Sequence, residues 1–147
     1  MIDLASFKYR FALQLRWRDI DAFNHVNNAV YLTYLEMARG NYLEEVYAWD
    51  WNEHGMILAH MSIDYKMPML LTDKPYVYVK CSKIGNKSFD LQYAVAIERN
   101  GKQIIACTAS SVQVMYNYIS QQTFVMPPHL KIQIADYEGI EIGRAHV

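Results

Sequence analysis

Between Lys87 and Asn117 the chain doubles back on itself. Phe89, Leu91, Tyr93, Val95 and Ile97 stand at alternate positions, and alternate residues of a strand share one face. Asn100-Gly101 follows directly. Both positions of a tight two-residue hairpin take positive φ, which Asn-Gly tolerates better than other dipeptides. Gln103 to Asn117 is then the returning strand, antiparallel to the run from Lys87 to Arg99.

The other segments must supply partners for this hairpin. From Phe7 to Trp17, the residues Phe7, Tyr9, Phe11, Leu13, Leu15 and Trp17 alternate with Lys8, Arg10, Gln14 and Arg16. That pattern predicts a strand with one buried face. Tyr31, Tyr34, Leu35, Ala38, Tyr42 and Val46 recur at spacings of three and four, so a helix is expected. Asn27 or Asn28 is its natural N-cap, and its end falls near Ala48. Ile57, Ala59, Met61, Ile63 and Tyr65 share one side of a further strand, ended by Pro68. Pro75 to Ile84 reads as another. Pro128 and Gly139 bracket a short terminal helix, with proline near its first position and glycine just past its end. Antiparallel hairpins with one long helix make an α+β domain, expected to span 1–147 as a single unit. One helix covers only part of a five-stranded sheet. The remaining apolar surface and the open sheet edge therefore predict a homo-oligomer.

Composition narrows the function classes. Apolar residues form 52% and charged residues 20% of 147 residues, as in a globular chain that buries a core without staples. The formal net charge is −1, so there is no global basic field for nucleic acid or an anionic membrane. The two cysteines, Cys81 and Cys107, lie in apolar strand-like sequence and read as reduced core residues. No apolar run reaches bilayer-spanning length, and the first residues lack a basic stretch followed by an apolar one. A cytoplasmic location is the expectation. The five histidines are scattered, without metal-ligand spacing. No phosphate-cradling loop and no Gly-x-Ser-x-Gly elbow is present.

The stretch from Asp21 to Arg39 carries the chemistry. It sets a carboxylate in a turn just ahead of a long helix. A helix start exposes unpaired N–H groups and the positive end of the macrodipole. Together these suit acyl transfer: the carboxylate attacks or activates water, and the N–H groups hold the oxyanion. Taken singly, Asp and Asn before a helix are also ordinary caps and turn formers, and a lone His25 is commonly a hydrogen-bonded structural residue.

In combination, Asp21, His25-Val26-Asn27-Asn28, Tyr31, Tyr34, Glu36 and Arg39 resemble the signature of the hotdog-fold thioesterases related to 4-hydroxybenzoyl-CoA thioesterase. Ile84-Gly85-Asn86-Lys87-Ser88 is similar to that family's strand-end turn, and Met126-Pro127-Pro128 to its C-terminal stretch. The resemblance implies a hotdog fold, with a five-stranded antiparallel sheet wrapped around the long helix. It implies hydrolysis of acyl-CoA without a cofactor, at a site on the interface of a homodimer or homotetramer. Asp21 would be the nucleophile or general base, and the Asn28 N–H the oxyanion donor. His25, Asn27, Tyr31 and Tyr34 would shape the turn and acyl pocket, with core packing the alternative for both tyrosines. The family usually has glycine before the His; here it is Asn24, the best other residue for positive φ.

Lys83, Lys87 and Ser88 flank a glycine-containing turn and are candidates for the CoA phosphates, an ordinary charged hairpin end being the alternative. Met56, Met61, Met67, Met69 and Met115 could line an acyl tunnel or fill the core. Glu36 is a rival carboxylate, unless it pairs with Arg39 three residues on. Rival functions are an acyl-carrier-protein thioesterase, an acyl-thioester dehydratase or hydratase using His25 with Glu36, and a non-catalytic acyl-CoA binder.

Overall fold

The computed structural model describes residues 2–143; the first residue and the last four of the expected 1–147 unit lie outside them. In chain order the elements are β1 (Tyr9–Ala12), α1 (Val30–Tyr47), β2 (Met56–Tyr65), β3 (Tyr76–Ile84), β4 (Ser88–Arg99), β5 (Lys102–Asn117), the two-residue β6 (Gln122–Thr123) and α2 (Pro128–Glu138). Five strands form one antiparallel sheet in the order β1-β3-β4-β5-β2, and β6 pairs with the end of β5.

The central hairpin forms as its sequence demands. Arg99 faces Lys102 across the turn, and Asn100 and Gly101 both take positive φ, 54° and 75°. Its apolar face meets the long helix: Leu91, Tyr93, Val95 and Ile97 share one buried cluster with Tyr34, Leu35, Ala38, Tyr42 and Leu43 of α1. Burying one such side chain fully is worth about 1.5–3 kcal/mol. The sheet curls because one extra residue enters each of three strands, at Ala59 in β2, Ser82 in β3 and Ala106 in β5. A bulge bends its strand and raises the local twist. Helix α1 stops at Ala48, which turns left-handed at φ 50° and caps the carbonyls of Leu43 and Glu44. Helix α2 starts at Pro128 and is capped by left-handed Gly139. Cys81 and Cys107 are buried free thiols, and burial pushes each up to about 12. Among the described residues no helix is long and apolar enough to cross a membrane.

The first strand is the main departure from the sequence pattern. Only Tyr9–Ala12 pairs, although alternation ran from Phe7 to Trp17. Its partner β3 begins after Pro75, whose carbonyl takes one last bond from the Leu13 N–H, and proline has no N–H to continue the ladder. Beyond that point the chain winds into a 3-10 turn, leaving Trp17 81% exposed. Phe7 precedes the pairing and lies in a second cluster with Tyr78, Ala94 and Ala96. Helix α1 also starts later than Asn27 or Asn28, with Ala29 at the cap and no side-chain capping bond. The Asn27 carboxamide oxygen instead accepts from the Ala29 N–H, at 2.9 Å.

Candidate active site

The segment from Asp19 to Asn28 is pinned from three sides. The Asn27 N–H donates to the Asp19 carbonyl at 2.8 Å, and Asp21 and His25 close a small loop through the Asp21 N–H and the His25 carbonyl at 2.9 Å. The Val26 N–H donates to the Met69 carbonyl, also at 2.9 Å, tying the loop to the chain that leaves β2. Inside this loop the Asp21 carboxylate accepts from the N–H of Phe23 at 2.9 Å and of His25 at 3.5 Å. Asn24 sits at φ 65°, as expected where the family has glycine.

Asp19 underlies the loop. It is buried, and its carboxylate accepts from the Tyr34 hydroxyl at 2.6 Å, the Arg16 N–H at 3.1 Å and the Arg16 guanidinium at 3.2 Å. Burial alone would raise its pKa; the bonds from Tyr34 and Arg16 outweigh it and hold the carboxyl below its ordinary value. The Tyr34 hydroxyl is pushed up in turn, by burial first and by Asp19 second. Tyr34 is thus spent on holding Asp19, and Asn27 on the turn into the helix.

Asp21, His25, Val26, Asn28 and Tyr31 line one cleft of about 370 Å³ with Tyr65, Lys66, Met67 and Pro68. Of the far wall, only Met67 is among the sequence candidates, for an acyl tunnel. This wall follows from the bulge at Ala106, whose carbonyl accepts from both the Lys66 and Met67 N–H groups, at 2.9 and 3.1 Å, and turns the chain out of β2 toward the loop. Tyr31 and Tyr65 meet edge to face at 5.0 Å, and the Tyr65 hydroxyl donates to the Asn28 carbonyl at 2.7 Å. Burial pushes the Tyr31 hydroxyl up to about 12. The backbone N–H groups around Asn28 are used: Asn27 donates to Asp19, Ala29 to the Asn27 side chain and Val30 to the Asn27 carbonyl. That of Asn28 finds no acceptor among the described residues.

A carboxylate and an unbonded backbone donor therefore share a cleft at the start of a helix. Against this geometry the comparison with known families is direct, as the model of the thioesterase-like superfamily matches residues 15–134. The chain belongs to the thioesterase-like superfamily. The long-chain acyl-CoA thioesterase FadM of Escherichia coli is 29% identical over 97 residues, 64% of this chain and 73% of that protein. A Thermus thermophilus thioesterase, solved with coenzyme A and zinc, is 31% identical with TM-score 0.80, covering 92% of this chain and 98% of that one. A mutant of 4-hydroxybenzoyl-CoA thioesterase, solved with 4-hydroxybenzoyl-CoA, shares the fold at TM-score 0.80 and 13% identity, covering 86% and 97%.

For this superfamily member the remaining candidates fall elsewhere. Lys83, Lys87 and Ser88 occupy the β3–β4 end of the sheet, where the Lys87 ammonium donates to the Thr123 hydroxyl at 3.3 Å and the Ser88 carbonyl accepts from the Gly85 N–H at 2.7 Å. Ser88 pairs with Val114 and Tyr65 with Cys107. Those β5 positions are 114 − 107 = 7 residues apart, or roughly 20 Å along a strand. Within one chain these three side chains do not reach the Asp21 cleft. Glu36 is exposed and outside the cleft, and it forms no ion pair with Arg39. Arg39 is buried and donates to the Tyr93 hydroxyl at 3.2 Å, which continues to Ser111 at 2.6 Å. Of the methionines, Met67 lines the cleft, Met69 and Met115 fill the core, and Met56 and Met61 pack beside it. Among the described residues no group of three His, Cys, Asp or Glu side chains could hold a metal ion.

Proposed function

We propose that the protein hydrolyses an acyl-CoA thioester to the free acid and the thiol, with Asp21 as the catalytic carboxylate and the Asn28 N–H as the oxyanion donor. Water is the only co-substrate, and no cofactor enters the reaction. The observation that carries this reading is the shared cleft: Asp21 and Asn28 both line it, and the Asn28 N–H has no acceptor among the described residues. A preorganised donor with no other partner stabilises charge as it develops on the thioester oxygen. Asp21 acts either by direct attack, giving a mixed anhydride that water then opens, or by drawing a proton from water. His25, Tyr31 and Tyr65 line the cleft, the two tyrosines edge to face, so these side chains shape the acyl end.

The same reading makes the protein a homodimer or homotetramer whose cleft is completed by a second copy. Edge strand β2 supports it, with Leu58 exposed and its last residue, Tyr65, lining the cleft. The distance of Lys83, Lys87 and Ser88 from the cleft of their own chain leaves them to serve a neighbouring one. The decisive experiment is thiol release from short, long and aromatic acyl-CoAs by wild type and Asp21→Asn. Wild type should turn over at least one ester, and the folded variant should lose about 10²–10⁴-fold. Undiminished turnover by Asp21→Asn would remove Asp21 from the mechanism. An inert wild type would leave a carrier-protein thioester or binding alone.

A further inference from the structure

Two charged residues outside the cleft hold the segment that forms its far wall. Arg99, the last residue of β4, donates through Nε and Nη2 to the two carboxylate oxygens of Asp73, at 3.1 and 2.7 Å. The same Nη2 also donates to the Pro68 carbonyl at 2.9 Å. Asp73 in turn accepts from the Leu70 N–H at 2.7 Å, and its own N–H returns to the Leu70 carbonyl at 2.9 Å. The Asp73 side chain is almost wholly buried, and a forked guanidinium–carboxylate pair fixes direction as well as distance.

What this pair holds matters for the site. Between Pro68 and Asp73 lies Met69, fully buried, whose carbonyl receives the Val26 N–H from the Asp21 loop. Lys66, Met67 and Pro68 line the same cleft as Asp21. One end of the segment is fixed by the two bonds to Ala106 and the other by the Leu13 N–H on Pro75. The middle, where the catalytic loop is attached, depends on Arg99 and Asp73. We propose that Asp73 and Arg99 are positioning residues for the reaction, setting the place of the Asp21 loop through Pro68 and the Met69 carbonyl. This rests on the hydrolysis proposed above.

Arg99→Ala and Asp73→Asn test it, read by steady-state kinetics well below the melting temperature and by amide exchange residue by residue. The expected result is faster exchange at Val26 and Leu70, unchanged exchange in the β4–β5 core, and a loss of up to about 10²-fold, mostly in kcat, as displacement of reacting groups by an ångström produces. Arg99→Lys keeps the charge without the fork, so it should recover only part of the rate. Unchanged exchange at Val26 in both variants would overturn the proposal. So would a uniform rise across all amides with a matching fall in melting temperature, because that is a purely structural role. If wild type hydrolyses no acyl-CoA, the reading of the reaction is what fails, and exchange at Val26 still decides whether the pair holds the loop.

Discussion

Asp19 and Asp21 are two residues apart and live in opposite environments. Asp19 is buried and accepts three hydrogen bonds, from Tyr34 and Arg16. Asp21 is half-buried at a cleft, held among the described residues by N–H groups of its own turn. A buried carboxylate that already accepts three hydrogen bonds is a structural anchor, shielded from a substrate. One oriented by a local turn at the edge of a cleft is placed and still available. The pair shows how one loop separates a buried carboxylate from one at a cleft.

The comparison breaks if the two variants behave alike. Asp21→Asn keeps the acceptor for the Phe23 N–H, so it should cost the rate proposed above while the melt stays within about 0.5 kcal/mol of wild type. Asp19→Asn should show the reverse. It puts an amide where donors from Tyr34 and Arg16 converge, and loses about 1.5–3 kcal/mol in urea melts. If Asp19→Asn keeps its stability and loses its rate, the roles are exchanged. Tyr34→Phe sharpens the contrast: removing one donor from Asp19 should cost about 1 kcal/mol. In a double-mutant cycle with Asp19→Asn that loss should be less than additive.

Acid provides another test. Asp19 and Asp73 both have carboxyls below the ordinary 3.8. In each, burial pushes upward and is outweighed, by Tyr34 and Arg16 at Asp19 and by Arg99 and the Leu70 N–H at Asp73. A depressed folded pKa adds stability that is complete above the unfolded value and is lost as pH falls through the folded one. Stability should therefore be flat with respect to these groups above about pH 5 and fall below about pH 4. Urea midpoints across that range check it, and Asp19→Asn should flatten the fall. The smallest effect belongs to Arg16→Ala. The Arg16 side chain is 60% exposed, so solvent screens the pair and its loss should cost less than about 1 kcal/mol.

Local chemistry made much of this legible. The Asn100-Gly101 turn, the proline and glycine bracketing α2 and the positive φ at Asn24 are properties of a few adjacent residues. The first strand was overextended because its length is set by Pro75, more than sixty residues away, where its partner's ladder ends. Lys83, Lys87 and Ser88 look like anion ligands in sequence, but only the register of β4 on β5 and β2 reveals their distance from Asp21. Nothing in the sequence sets Asp19 apart from an ordinary turn former. The available signal was Tyr34 on the apolar face of the helix, since a buried phenol needs a partner for its hydroxyl. The wall from Tyr65 to Pro68 carried no motif, and it exists through the bulge opposite it.

That bulge at Ala106 has an evolutionary consequence. Side chains along a strand alternate between faces, so one inserted residue reverses the phase of everything beyond it. Here the reversal is absorbed within β5, and its effect is exported to the neighbouring chain as the exit angle after Tyr65. Single-residue insertions or deletions near this point could recast the Tyr65–Pro68 wall while leaving the helix and the Asp21 loop intact. Substrate range in descendants of such a chain could then drift by indel as readily as by substitution.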